Sequence, residues 1–169
     1  MNQILESLQF DPEEGRLSLQ GVRYVLLRPG ILVDLQKALE THLPYDAATV
    51  LSGASQSEGM VLASRLKEIF GYSGDEVLRS LAFMLQQAGW GAVTLEMVNW
   101  ETRELVFKIN ASPFVEDYGP SVAPVCHFLL GLLSGAGIAL FEGEVDGAEV
   151  QCMAKGDSAC RFVVSAKPA

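Results

Sequence analysis

One twenty-residue run, VAPVCHFLLGLLSGAGIALF at positions 122–141, most constrains how this chain can fold, because it carries no formal charge. Its length would suffice for a bilayer crossing. The run also holds a proline, a histidine, a serine and three glycines, and no basic cluster lies beside it to orient a membrane span. We therefore predict a helix from about residue 121 to residue 141 that is buried at the centre of a globular domain.

The overall composition favours one folded domain that does not bind nucleic acid. The 169 residues are 49% hydrophobic and 20% charged, which is enough apolar material for a core without disulfides. The formal net charge of −9 repels nucleic-acid phosphates and anionic membrane surfaces. We expect a single domain over residues 1–169, with no nucleic-acid partner and no membrane span.

The N-terminal sequence and the cysteine count indicate a cytoplasmic protein. MNQILESLQFDPEEGRLSLQG has neither the basic start nor the long apolar run of a secretory signal. The three cysteines are an odd number, and without an export signal they point to a reducing compartment. In such a compartment, metal binding or reactive chemistry explains a cysteine cluster better than a disulfide does.

The first half of the chain predicts short strands followed by helices. LQF, RLSLQG and GVRYVLL predict three strands. RPGILVDLQKALETHL predicts a helix with one apolar face made of Ile31, Leu32, Leu35 and Leu39. A second helix is expected from about residue 45 to residue 70, with Gly53 and Gly59 as places where it can break.

The second half predicts one clear helix and two hairpins. SGDEVLRSLAFMLQQAGWG has helical periodicity and ends at Gly89, and VTLEMVNW and ELVFKIN alternate as a hairpin. ASPFVEDYGP predicts a loop, and EVDGAEVQCMA and ACRFVVSA predict a closing hairpin around Gly156. The expected class is α+β in one domain, with antiparallel strands at both ends, central helices, and the long apolar helix packed on the C-terminal hairpin.

All three cysteines lie between positions 126 and 160. If the closing hairpin pairs symmetrically about Gly156, Cys152 faces Cys160 with β-carbons about 5 Å apart. That distance suits a disulfide or two ligands of one metal ion, and the reducing compartment favours the metal. Cys126 would supply a third ligand if its helix packs on the hairpin.

A closed zinc site takes four ligands, and either Glu149 or His127 could be the fourth. Cys126 and His127 are consecutive on a helix and point about 100° apart, so they rarely converge on one ion. Glu149 and Cys152 would face opposite sides of an ideal strand, so Glu149 requires a bulge or turn between them. The spacing also leaves open three ordinary buried cysteines without a metal.

EVQCMAKGDSACRFVV, with the Gly-rich apolar helix before it, resembles the C-terminal half of the 4-vinyl reductase domain family. That family includes proteins linked to bacteriochlorophyll synthesis and sensor domains of phenol-responsive regulators. The regulators hold zinc with a Cys, a Glu, a Cys three residues later and a Cys eight residues after that. The pattern is similar to Cys126, Glu149, Cys152 and Cys160. The resemblance implies a structural zinc on these four residues, which selects Glu149 over His127.

The resemblance also implies a hydrophobic cavity that binds a small hydrophobic or aromatic ligand. The helices and the first hairpin of the second half offer candidates for its lining: Phe83, Trp90, Met97, Trp100, Phe107 and Phe128. For any one of them, a place in the ordinary core is the alternative.

No catalytic residue or nucleotide-binding motif is identified, since neither GWG at 89–91 nor GAG at 135–137 follows a strand and opens a helix. We predict a zinc-stabilised binding domain for a ligand such as a tetrapyrrole in chlorophyll metabolism or photosystem assembly. We also predict a homodimer, because Gly131 and Gly135 allow close approach of a helix from a second subunit. One alternative is a 4-vinyl reductase, or a subunit of one, acting on divinyl protochlorophyllide or chlorophyllide. Another is a structural adaptor related to vesicle-tethering subunits.

Overall fold

Two antiparallel sheets and six α-helices make up the computed structural model, which describes residues 2–168. The first half contains, in order, α1 (Gln3–Ser7), β1 (Gln9–Asp11), β2 (Arg16–Leu19), β3 (Val22–Tyr24), α2 (Pro29–His42), α3 (Ala47–Phe70) and α4 (Gly74–Gln87). The second half contains β4 (Ala92–Asn99), β5 (Glu104–Asn110), α5 (Pro113–Tyr118), α6 (His127–Phe141), β6 (Val145–Gln151), a 3-10 turn (Met153–Lys155) and β7 (Cys160–Ala166). Strands β1–β3 form a small sheet, and the others form a large sheet in the order β4-β5-β7-β6. The predicted α+β class is confirmed.

Alternate residues of the two central strands form the buried face of the large sheet. The register of β5 and β7 pairs Leu105 with Val164, Phe107 with Phe162, and Ile109 with Cys160. All six side chains are fully buried. Side chains two apart on a strand point the same way, so this face is continuous and apolar, and α6 packs against β6 and β7.

Helix α6 is buried on nearly every side, as the uncharged run predicts, because it lies between the large sheet and α3. The backbones of α3 and α6 touch where they cross. A β-carbon at Gly59 would overlap the carbonyl oxygen of Leu132, and one at Gly135 would overlap that of Gln56. Glycine is therefore required at this crossing, and α3 runs unbroken through both of its glycines. The helix that approaches Gly131 and Gly135 is thus α3 of the same chain.

Several boundaries differ from those predicted from the sequence. Helix α6 begins at His127, because the residue before Pro124 is disfavoured from helical geometry, and Cys126 is its N-cap. The predicted loop after β5 contains α5, which has the usual start and stop signals of a helix, Pro113 in its first turn and Gly119 after its end. Helix α1 was not predicted. None of the helices in residues 2–168 combines the length and apolarity that a bilayer crossing requires.

Helix α2 occupies the predicted residues but buries a different face. Val33 and Gln36 are buried, whereas Ile31 and Leu35 are 54% and 52% exposed. The reason is that α2 packs against α5 and α3 along one side only. The predicted apolar face is therefore largely uncovered.

Candidate metal centre and hydrophobic cavity

Three separate segments bring Cys126, Glu149, Cys152 and Cys160 into one cluster. Cys126 directly precedes α6, Glu149 and Cys152 lie in and just after β6, and Cys160 begins β7. One ligand atom from each residue lies within 4.8 Å of the other three, and all four residues are buried. We call this group the four-residue cluster. His127 is not part of it; its ring is half buried, and burial lowers the pKa of the ring.

A β-bulge in β6 brings Glu149 and Cys152 to the same side. Glu149 lies opposite Phe162 and Gln151 lies opposite Arg161, so Val150 is the extra residue on this strand. One extra residue reverses the alternation of side chains beyond it. The irregularity that a Glu149 ligand requires is therefore present in the strand.

The sulfur geometry of the cluster fits a tetrahedral metal ion. The Sγ atoms of Cys126 and Cys160 are 3.7 Å apart. Two thiolates on a tetrahedral zinc, each bonded at about 2.3 Å, would be separated by about 3.8 Å. The cluster can therefore take an ion of this size with little movement of these two sulfurs.

Glu149 provides an independent sign that the cluster is built around a cation. Its Oε2 accepts a hydrogen bond from the Cys126 backbone N–H at 2.9 Å. Its Oε1 is buried and has no hydrogen-bond partner within residues 2–168. Burial, followed by hydrogen bonding to Cys152, raises the pKa of the Glu149 carboxyl to about 8. Because an unpaired buried oxygen costs about 1–3 kcal/mol, a metal ion or a proton is needed to satisfy it.

Two residues that the sequence did not single out support the cluster. The Ser112 hydroxyl lies 3.4 Å from the Cys126 Sγ, and Ser112 is fully buried. The Asp157 carboxylate accepts a hydrogen bond from the Cys152 backbone N–H at 2.8 Å and so fixes the turn after β6. Such partners orient metal ligands. Their only sequence signals were ordinary ones, a serine before a helix-starting proline and an aspartate in a turn.

A cavity of about 500 Å³ lies between the N-terminal segment and the helices. Side chains from α1, the small sheet and the connection at 25–29 line one part of it, and residues of α2–α6 line the rest. Its lining is mainly leucine and other apolar side chains, with Arg28 and Glu58 as the charged residues among them. This volume and composition are typical of sites for small hydrophobic molecules.

Three aromatic rings form one wall of this cavity. Trp90 lies 5.8 Å from Phe128, with planes only 3° apart, and 5.8 Å from Phe114. Phe114 and Phe128 are 6.1 Å apart. The rings come from three different elements and pack as one unit, which we call the aromatic wall.

Of the six residues predicted to line a cavity, Trp90 and Phe128 do so, and the other four lie elsewhere. Phe107 is in the core of the sheet, and Phe83 is 46% exposed on the outer side of α4. The Trp100 indole N–H donates to Asp75 at 2.7 Å, away from the cavity. A bulge after Leu95 turns Met97 to the outer face of β4. The α1 residues that line the cavity were missed because ILESL is too short for a periodic signal.

Comparison with known proteins places the second half of the chain in a family. Residues 105–166 match the family model of the 4-vinyl reductase domain. This region belongs to the 4-vinyl reductase domain family. The resemblance that the sequence suggested is thereby confirmed, and we call residues 105–166 the family region. An uncharacterised protein of Methanocaldococcus jannaschii is 39% identical over 62 residues, which are 37% of this chain and 34% of that protein. The match thus spans about a third of that relative's length.

Solved structures share the fold well beyond the family region. The phenol-responsive sensory domain of the transcription activator PoxR, solved with phenol, has a TM-score of 0.81 at 22% identity, covering 96% of this chain and 86% of that chain. A trafficking protein particle complex subunit 3 from Naegleria fowleri, covalently bound to palmitic acid, has a TM-score of 0.59 at 16% identity, covering 83% and 95%. A vinyl-4-reductase family protein from Methanocaldococcus jannaschii has a TM-score of 0.53 at 14% identity, covering 87% and 100%. At these identities the likeness shows a shared fold.

Proposed function

We propose that this chain is a zinc-stabilised domain that binds a small hydrophobic ligand, with residues 1–169 acting as one unit. The observation that carries the proposal is the cavity of about 500 Å³, whose lining is almost entirely apolar and ends in the aromatic wall. Two proteins of the same fold, the phenol-bound PoxR domain and the acylated trafficking subunit, also hold small hydrophobic groups. These two bound groups support a ligand-holding role for the fold.

Ligand binding in this cavity would be non-covalent. The chain has three cysteines, and all of them belong to the four-residue cluster. None of them lines the cavity, so no thiol is available there to form a thioester with an acyl chain. Affinity would come from apolar burial and from contact with the aromatic wall.

The four-residue cluster has the donor set of a structural zinc site. A zinc ion bound to three thiolates and a carboxylate supplies a cross-link and has no open position for water. In this chain the residues join the start of α6 to both strands of the closing hairpin. Zinc would therefore stabilise the family region rather than take part in a reaction.

The two tryptophans of the chain provide a test of ligand binding, because Trp90 lines the cavity and Trp100 does not. The variant Trp100→Phe leaves Trp90 as the only reporter, and Trp90→Phe leaves Trp100 as a matched control. We expect a brominated stearic acid, which quenches only at contact, to quench Trp90 saturably and Trp100 little.

The ligand class is tested with the same proteins. Phenol and palmitate compete with the brominated probe for the cavity if they bind there, and porphyrins and chlorophyllide are followed by the shift of their own absorbance. The proposed tetrapyrrole role in chlorophyll metabolism or photosystem assembly requires a shift with the macrocycles that Trp90→Phe weakens. If no compound in the panel gives a saturable response, the ligand-binding proposal is rejected.

We also propose that the chain forms a homodimer through the uncovered apolar residues around α2. Five of them are more than half exposed: Val25, Leu26, Leu27, Ile31 and Leu35. A contiguous apolar surface of this kind is typical of protein interfaces. The double variant Leu26→Glu and Leu35→Glu should elute as a monomer when wild type elutes as a dimer in light-scattering chromatography; a monomeric wild type would rule the dimer out.

A further inference from the structure

We infer that a metal ion in the four-residue cluster sets the position of the aromatic wall, so that metal binding and ligand binding are coupled. The half that concerns the ligand rests on the proposed binding function. The half that concerns the wall stands on the contacts between the cluster and the cavity.

The first connection runs through the start of α6. Cys126 is a member of the cluster, and its backbone N–H is held by the Glu149 carboxylate at 2.9 Å. Phe128 follows two residues later in the first turn of α6 and lines the cavity. Whatever fixes Cys126 therefore also fixes the ring of Phe128.

The second connection runs through the start of α5. The Ser112 hydroxyl lies 3.4 Å from the Cys126 Sγ, and the Ser112 carbonyl accepts the N–H groups of Val115 and Glu116 in the first turn. Phe114 is two residues after Ser112 and lines the same cavity. A metal-bound thiolate has no proton, so the serine hydroxyl can only donate to it, which fixes the hydroxyl in one orientation.

The two connections meet again in the cavity, where Phe114 and Phe128 pack on each other and on Trp90. The chain between α5 and α6 has no regular structure at 119–126, so it cannot hold the two helix starts in register by itself. The shared anchor at Cys126 performs this task. Because packed aromatic rings shift as a unit, a change in the anchor reaches Trp90.

Zinc alone tests the first half of the inference. In protein carrying Trp100→Phe, stripped of metal with a chelator, we expect one equivalent of zinc to change the emission of Trp90. Adding Ser112→Ala should keep one zinc per chain, weaken zinc affinity by about tenfold, and reduce the change in Trp90 emission. Ser57→Ala is the matched control, since this exposed serine bonds only to its own helix.

Zinc that binds at one equivalent without changing Trp90 emission would overturn the inference. Glu149→Gln guards against a folding artefact, because the amide oxygen can still accept from the Cys126 N–H while the ligand charge is lost. In this variant the emission change should shift to higher zinc and follow bound zinc. Circular dichroism must show the same helix content throughout; a helix content that falls with zinc removal would mean that zinc holds the whole fold, against a specific effect on the wall.

The second half is tested with the neutral fluorophore N-phenyl-1-naphthylamine as the cavity probe. We expect it to bind about tenfold more tightly with zinc present, and zinc to bind more tightly by the same factor with the probe present. Equal probe affinity with and without zinc would remove the coupling and leave the binding function intact. No probe binding in either state, together with a zinc-dependent Trp90 signal, would reject the binding function and the ligand half while supporting the wall half.

Discussion

The two sheets of this protein are both antiparallel, yet only one of them forms a core. In the large sheet, Phe107 and Phe162 are fully buried beneath α6. In the small sheet every residue is exposed or only partly buried, and Phe10 is 66% exposed. Strand pairing satisfies backbone groups in both, but only a helix packed on the sheet removes its side chains from water.

The difference follows the boundaries of the family region. Residues 105–166 include β5, α6, the closing hairpin and all four members of the cluster. The N-terminal strands pair only with each other and contribute side chains to the cavity. A three-stranded sheet of short strands without packing is only marginally stable. We therefore expect stability to reside in the second half and adaptability in the first.

The largest expected effect comes from equal truncations in the two sheets. Phe162→Ala should lower the free energy of unfolding by about 3–5 kcal/mol, because it opens a cavity in the core. Phe10→Ala should change it by less than about 0.5 kcal/mol, because the ring is mostly in water. Urea denaturation of both variants measures this. A large loss for Phe10→Ala would mean that another surface covers the small sheet.

Metal binding should stabilise the buried half by the next largest amount. Free zinc at about a hundredfold excess over its Kd should add roughly 2.7 kcal/mol to the free energy of unfolding and raise Tm by about 5–10 °C. The measurement is thermal unfolding followed by circular dichroism. Cys160→Ser should lose the zinc dependence and Ser57→Ala should keep it. An unchanged Tm on zinc addition to metal-stripped wild type would contradict a structural site.

Two glycines separate the packed crossing of α3 and α6 from its exposed surroundings. Gly135→Ala should destabilise by about 1–3 kcal/mol, because the added carbon overlaps the Gln56 carbonyl. Gly53→Ala should stabilise by about 0.5–1 kcal/mol, because it lies in the middle of α3 with open space around it. Denaturant midpoints of both variants measure the contrast. Destabilisation by Gly53→Ala would show that its surface is covered by a partner.

The smallest effect concerns the attachment of α1. The Gln87 side chain accepts from the Gln3 N–H at 3.0 Å, and the Gln87 carbonyl accepts from Asn2. Gln87→Ala should speed amide exchange in α1 by roughly fivefold, the effect of one lost hydrogen bond. Gln86→Ala, the exposed neighbour, is the control. Mass-spectrometric exchange should show no change in β5 or β7, and a change there would mean that the two halves unfold together.

The cluster could be proposed from the sequence because metal ligands are few in type and are fixed by spacing. Three cysteines and one glutamate in a short stretch were enough to indicate which four residues meet. The bulge at Val150 followed as a requirement, since Glu149 and Cys152 could not otherwise share a side of the strand. Ser112 was out of reach, because a serine before Pro113 signals a helix start whether or not it also touches a sulfur.

The cavity was predicted less well, because its lining depends on how distant segments come together. Phe83 and Met84 are adjacent on α4, and only Met84 reaches the cavity. The bulge in β4 moved Met97 to the outer face, and nothing in an alternating strand announces a bulge. Composition identified aromatic candidates but could not say which side of each element would face an opening.

By itself, the sequence determined the helices and strands with strong periodicity, the burial of the long uncharged run, and the members of the cluster. These depend on residue type and short-range spacing, which the chain carries directly. Only the tertiary structure decided that α2 leaves Ile31 exposed, that α3 fills the glycine face of α6, and that Trp90, Phe114 and Phe128 share one wall. Each of these is a contact between elements far apart in the chain, and such contacts are set by packing, for which local sequence holds no period.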